Sequence, residues 1–280
     1  MKILPLDAPL GARIEGLNFS NTPDESLAAE LREIIYAYQM VLFPEQTFEA
    51  PEQLAFAKAL GPVRRRKLPD NYFSPESSYD TPGIAYVSNI RDEKGVPTGI
   101  IPDGEMWFHH DTCYTPEPDK FTMLYAVAVP KVGGHTMWGD MYAAWNTLPD
   151  ELKTALDGKR ALNVYDYATI ERPDLAKLDE IEHAWHPAVV THPHTGRQAL
   201  FVNRLMTCQI EGLDEAESRA ILEPVFDHAE KREFIYEHPW KPDDFIVWDN
   251  LSTIHARTHF ELGDDRRLRR CKVSGDALAA

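Results

Sequence analysis

The chain has 280 residues, of which 45 are Asp or Glu and 29 are Lys or Arg, giving a formal charge of -16 at pH 7. Nucleic acid and anionic membrane surfaces repel a body of that sign, so neither is expected as a main partner. The length suffices for one large core and forces no second, and residues 1–280 read as a single domain.

The opening "MKILPLDAPLGARIEG" has no long apolar stretch, and no segment reaches the roughly 18 apolar residues that a membrane helix requires. Cys113, Cys208 and Cys271 are too few and too scattered for a disulfide framework. Each reads as a small buried hydrophobe in a reducing cytoplasm. "NTPDESLAAELREIIYAYQM" carries a helix-start signal, with Thr22 as N-cap, Pro23 in the first turn and Glu25 completing a capping box. Leu27, Leu31, Ile34, Ile35 and Tyr38 recur at helical spacing and give that helix an apolar face. "VLFPEQ" follows as a short buried strand, and "APEQLAFAKALG" as a second helix, opened by Pro51 and closed by a left-handed Gly61.

From Pro62 to Glu105 the chain is rich in Pro, Asp, Ser and Gly and reads as a long loop region over a site, with "IAYVSNI" as its clear strand. At its start, "VRRRKL" (63–68) reads as a solvated basic cluster able to guide an anion. Beyond it "FTMLYAVAV", "HTMWGD", "PAVVTH", "QALFVN", "DDFIVWDN" and "RLRRCKVSGD" are β-type runs. Helices interrupt them at "DMYAAWNTLPDELKTALDG" and "LDEAESRAILEPVFDHAEKREF". A mostly β chain with inserted helices and no regular strand-helix alternation fits a jelly roll better than a parallel α/β sheet.

"WFHHDTCY" enters the β region, where side chains alternate between faces. His109 and Asp111 then point one way and His110 the other, so an imidazole and a carboxylate can grip one ion. His255 in "FIVWDNLSTIHART" follows an apolar strand and a turn and supplies a rigidly mounted second imidazole. Two histidines and a carboxylate on one face of an octahedron define a ferrous site with three positions open. His192 and His194 in "THPHTG" read as a surface hairpin turn, and His183, His186, His228, His238 and His259 receive no role.

In this order "HHD", "GGHTMW", "WDNLSTIH" and "RRLRRCKVSGD" resemble the taurine dioxygenase (TauD/TfdA) family of Fe(II)/2-oxoglutarate-dependent dioxygenases, and the resemblance extends over nearly the whole chain. It implies a double-stranded β-helix (jelly roll, cupin-like) core with flanking helices. It implies His109, Asp111 and His255 as Fe(II) ligands, with 2-oxoglutarate and O2 as co-substrates. Thr136 and Arg266 match the hydroxyl and the guanidinium that hold the distal carboxylate of 2-oxoglutarate, roles that suit a dicarboxylate leaving water. Arg270 matches a residue that holds an anionic substrate head, which points to a sulfonate or carboxylate, and Asn89, Trp107 and Tyr114 are further pocket candidates. His135 stands where the family has an acidic or small residue. The retained Asp111 favours hydroxylation, including cleavage through a hemiacetal-like product, over halogenation.

The activity implied is release of succinate and CO2 coupled to oxidation of a C–H bond, in a closed symmetric homo-oligomer such as a dimer or tetramer. Two other readings use the same three ligands. A zinc hydrolase would keep an open water position, and a cupin-like binding protein would hold an organic acid without turnover. Neither a hydrolase nor its zinc has need of Thr136 and Arg266.

Overall fold

The computed structural model describes residues 1–19, 22–64, 81–100, 106–165, 174–261 and 263–279. In chain order it forms strands Lys2–Pro5 (β1) and Ala12–Glu15 (β2), helix Glu25–Tyr38 (α1), strand Met40–Phe43 (β3) and helix Ala50–Leu60 (α2). Strands Ile84–Ser88 (β4), Met106–His109 (β5), Asp119–Ala128 (β6) and Thr136–Asp140 (β7) follow, then helices Met141–Thr147 (α3) and Asp150–Leu156 (α4). Next come strands Arg160–Val164 (β8), His183–Pro187 (β9), Val189–Thr191 (β10), Gln198–Leu200 (β11) and Thr207–Ile210 (β12), and helix Glu215–Ala229 (α5). Strands Ile235–His238 (β13), Phe245–Asp249 (β14), Thr253–Arg257 (β15) and Arg267–Ser274 (β16) complete the described strands, and short 3-10 helices cover Leu175–Glu180 and Arg232–Phe234.

The architecture is mostly β with inserted helices, as the pattern of strand-type runs predicts. A seven-stranded sheet has the order β1-β2-β3-β14-β6-β16-β4, and a four-stranded sheet the order β13-β7-β15-β5. In the large sheet β3 and β14 are buried throughout, which is why "MVLF" and "FIVW" read as unbroken apolar runs. Alternate residues nevertheless divide between two faces. Phe43, Met123, Phe245 and Cys271 pack with Leu31 and Ile35 of α1 and Phe56 of α2, while Leu42, Leu124, Ile246, Trp248 and Leu268 pack with Trp138 of the small sheet. Helices thus cover one face of the large sheet, and its other face meets the small sheet.

Several local expectations change. The N-cap of α1 is Asp24, not Thr22: its carboxylate accepts from the Leu27 N–H at 2.8 Å, and Pro23 precedes the helix. Capping boxes sit instead on α2, between Glu49 and Glu52, and on α5, between Asp214 and Glu217. Gly61 ends α2 at φ 158° and ψ -171°, an extended rather than a left-handed conformation. His192 and His194 do lie in the β10–β11 hairpin, but His192 is only 2 % exposed and so is not a surface residue. The hairpin folds onto α1 and the end of β14, where His192 Nε2 donates to Asp249 at 3.1 Å while its Nδ1 accepts the His194 and Thr195 N–H groups. The three cysteines are buried, and among the described residues none forms a disulfide.

Within the predicted 62–105 loop region, β4 forms as expected, and residues 65–80 and 101–105 lie outside the described residues. Of the basic cluster only Val63 and Arg64 are described. Arg64 pairs with the buried Asp119, which Lys272 also reaches at 2.6 Å. Among the described residues no helix is long and apolar enough to cross a membrane.

Candidate metal centre

The small sheet brings together residues 146 positions apart. Antiparallel pairing of β15 with β5 sets His255 directly opposite His109, with ring centroids 4.1 Å apart. Asp111 lies just past the end of β5, where Thr112 turns the chain at φ 53°. Positive φ is costly for a threonine, and here the hydroxyl offsets it by donating to Asp111 O and accepting from Asp119 N–H, both at 2.8 Å. The ligand atoms of His109, Asp111 and His255 lie within 4.8 Å of one another, and these three form the one such cluster among the described residues.

Each ligand is held in the state that a cation needs. His109 Nδ1 donates to Trp107 O at 2.8 Å, leaving the Nε2 lone pair for the centre. Burial lowers the pKa of His109, and burial aided by the neighbouring His109 ring lowers that of His255 further, so both imidazoles stay neutral. Burial alone would raise the Asp111 pKa, but the charges of Lys272 and Arg270 outweigh it and hold the carboxyl well below the usual carboxylate range. Thr122 Oγ1 donates to Asp111 Oδ2 at 2.8 Å. Asn250 clamps the Asp111 backbone, its Oδ1 accepting the Asp111 N–H at 2.7 Å and its Nδ2 donating to Asp111 O at 2.9 Å. Two neutral imidazoles and one carboxylate suit a divalent first-row metal with open positions.

The same cavity has a second, cationic end. Thr136 on β7 pairs in register with Arg257 on β15, and both line the cavity with Arg266. Arg266 is 2 % exposed; its Nε donates to Gly134 O at 3.0 Å, and its Nη1 has no hydrogen-bond partner among the described residues. Burial, and then the charge of Arg257, work against a cation at Arg266. A guanidinium does not give up its proton in a protein, so the site is built to receive an anion. The glycines of "GGHTMW" let the chain pass this close. A Cβ on Gly133 would lie 2.2 Å from His259 O, and one on Gly134 3.2 Å from the Arg266 side chain; both have positive φ.

Arg270 also lines the cavity, with Nη1 3.7 Å from Asp111 Oδ1. Val87, Met106, Leu124 and Trp248 supply apolar wall.

The structure brings together six of the nine residues singled out from sequence: His109, Asp111, His255, Thr136, Arg266 and Arg270. The other three do not line this cavity. Asn89 braces the arginine segment, accepting the Arg266 N–H at 2.8 Å and donating to Asp264 O at 2.8 Å. Trp107 is 39 % exposed, and Tyr114 is buried in the core against Tyr165. His110 turns to the opposite face as expected, packs on Phe201 and is pushed down by burial to a pKa of about 3. His135 pairs with Glu237 at 2.7 Å.

Sequence reading missed Arg257, Trp240 and Asn250. Arg257 was within reach, because it follows His255 by two residues on a strand and so shares its face. Trp240 and Asn250 act through contacts with residues about 100 or more positions away, which no local pattern announces.

The chain matches the family described as "Taurine catabolism dioxygenase TauD, TfdA family" over residues 2–272. It is 28 % identical over 291 residues to the (S)-phenoxypropionate/alpha-ketoglutarate-dioxygenase of Sphingobium herbicidovorans, covering 98 % of this chain and 95 % of that one. It is 28 % identical over 292 residues to the alpha-ketoglutarate-dependent 2,4-dichlorophenoxyacetate dioxygenase of Cupriavidus pinatubonensis, covering 98 % of each. The crystal structure of AAD-2 in complex with Mn(II) and N-oxalylglycine superposes with a TM-score of 0.80 at 26 % identity, covering 100 % of this chain and 99 % of that one.

Proposed function

Since this chain belongs to the taurine catabolism dioxygenase (TauD, TfdA) family, we propose that it hydroxylates a small organic anion at the cavity between its two sheets. The family consists of 2-oxoglutarate-dependent dioxygenases that use Fe(II), 2-oxoglutarate and O2. The observation that carries the reading is one cavity lined by His109 and His255, whose ligand atoms lie within 4.8 Å of Asp111, and by Thr136 and Arg266. In this reading the core is a double-stranded β-helix, residues 1–280 are one domain, and the protein works in the cytoplasm as a closed dimer or tetramer.

His109 and His255 offer ring nitrogens, and Asp111 a carboxylate oxygen, to Fe(II). Thr136 and Arg266 hold the distal carboxylate of 2-oxoglutarate, the hydroxyl donating one hydrogen bond and the guanidinium giving a charge-assisted contact. When bound, the metal and co-substrates supply the oxidation in which substrate, 2-oxoglutarate and O2 become hydroxylated substrate, succinate and CO2. The protein's own task is positional. Arg270 would pair with the substrate's carboxylate or sulfonate, the apolar wall of Val87, Met106 and Leu124 would exclude water, and together they would hold the target carbon near the metal bound by His109, Asp111 and His255. An aryloxyalkanoate is the first candidate, because the phenoxypropionate and dichlorophenoxyacetate relatives are named for that class.

The test is succinate formation from 2-oxoglutarate under air with added ferrous iron, across aryloxyalkanoates, sulfonates and simple carboxylates. At least one anion is expected to stimulate succinate and to be consumed one for one, with both signals lost in His255→Ala. Succinate that no anion stimulates, or turnover that persists without O2, overturns the reading.

A further inference from the structure

Thr136 does not stand alone at the cationic end. The indole Nε1–H of Trp240 donates to Thr136 Oγ1 at 2.9 Å, and Trp240 is buried. Its ring is fixed on several sides, edge-on to Trp138 at 6.3 Å and to His238 at 5.0 Å. The turn that carries it is fastened in turn by Asp244, whose carboxylate meets His238 Nε2 and the Lys241 N–H, both at 2.9 Å.

An indole N–H can only donate, whereas a threonine hydroxyl has one hydrogen and two lone pairs. Trp240, which is not among the residues that line the cavity, therefore makes Thr136 an acceptor. The hydroxyl's own hydrogen takes no acceptor among the described residues, where the indole is its one side-chain partner. It is left to point elsewhere, and the cavity that Thr136 lines with Arg266 offers that space.

We propose that Trp240 is a positioning residue for 2-oxoglutarate: its indole N–H fixes the Thr136 hydroxyl as a donor aimed at the incoming carboxylate. The inference rests on the proposed co-substrate site, and the indole never touches the ligand. Its effect is preorganisation, because a hydroxyl already turned towards the anion loses no rotational freedom on binding and forms no competing bond that must first break.

The experiment is calorimetric titration of 2-oxoglutarate, without oxygen, into Mn(II)-loaded wild type, Trp240→Phe, Thr136→Val and the double variant. Trp240→Phe is expected to weaken binding about three- to tenfold, the range for one hydrogen bond. In the Thr136→Val background the same change is expected to have no further effect, whereas in Thr136→Ser, which keeps the hydroxyl, it is expected to persist. In turnover the KM for 2-oxoglutarate should rise far more than kcat falls. An isosteric 3-benzothienylalanine at position 240, which replaces the N–H by sulfur without altering the ring shape, gives the same comparison if the phenylalanine variant does not fold. Unchanged affinity, or an equal loss with and without the Thr136 hydroxyl, overturns the proposal. Wild type that binds no 2-oxoglutarate would instead overturn the functional reading beneath it.

Discussion

The two ends of the cavity solve opposite electrostatic problems with the same tool. At the metal end, burial keeps His109 and His255 neutral, and surrounding cations keep Asp111 ionised, so the cluster presents lone pairs and a single negative charge. At the other end, burial works against the charge of Arg266 and a second guanidinium, Arg257, lies in the same wall, so the cluster presents a positive charge that an anion relieves. Low dielectric strengthens whichever interaction completes each end. The support is alike in kind: each end is braced by one backbone carbonyl, Trp107 O on His109 and Gly134 O on Arg266, and by side chains, Asn250 and Thr122 on Asp111 and Trp240 on Thr136. It differs in density, Asp111 alone taking three such side-chain hydrogen bonds, and ligands to a metal must be held precisely.

Variants that strike one end and spare the other test this division. The largest effect is expected from His255→Ala, which removes a ligand: metal affinity, measured by titration of the metal-free protein with Mn(II), should fall by more than the roughly 100-fold typical of an outer partner. Arg266→Ala should leave metal affinity intact and raise the KM for 2-oxoglutarate about 10- to 150-fold, the range for a hydrogen bond to a charged group. Equal damage to both constants would break the division. Asn250→Ala should do the reverse, weakening metal binding about 10- to 100-fold through Asp111 with little change in 2-oxoglutarate affinity at saturating metal. Arg270→Ala should raise the KM for an anionic substrate about tenfold, as for loss of one charged contact, and leave the KM for 2-oxoglutarate within a factor of two.

The smallest effect is on stability and comes from buried histidines, chiefly those at and behind the metal end. His109, His110 and His255 have folded pKa values below the ordinary histidine value, so the unfolded chain binds more protons as pH falls through about 6.5. Their contribution is complete above that pH and is lost progressively towards the folded values, about 3 for His110. The melting temperature of the metal-free protein should therefore drop between pH 7 and pH 5, and bound metal should oppose the drop by competing with protons for His109 and His255. A flat profile would mean that these imidazoles are not buried neutral.

Much of the fold was legible because its signals are local. The apolar run of "FIVW" and the Leu31–Ile35 stripe of α1 announce burial by composition and period alone. Boundaries were less secure: Thr22 and Asp24 are both good capping residues within three positions, and only packing of α1 decides which one caps. His192 misled because "THPHTG" describes a hairpin correctly and says nothing of what the hairpin leans on. Tyr114 and Trp107, flanking the metal ligands in sequence, were separated from the cavity by side-chain direction, one into the core and one outward.

By itself the sequence determined which chemistry is available: the H-x-D pair, a distant histidine, a hydroxyl after two glycines and a basic strand, each set by local composition and spacing. The tertiary structure decided which of these act together. Only the pairing of β15 with β5 and β7 puts His255 against His109 and Arg257 against Thr136, and only the approach of the large sheet adds Arg266 and Arg270. The reason is that a site is a set of distances between residues remote in the chain. Those distances follow from register and sheet packing, which are satisfied by the whole core at once and are written in no single segment.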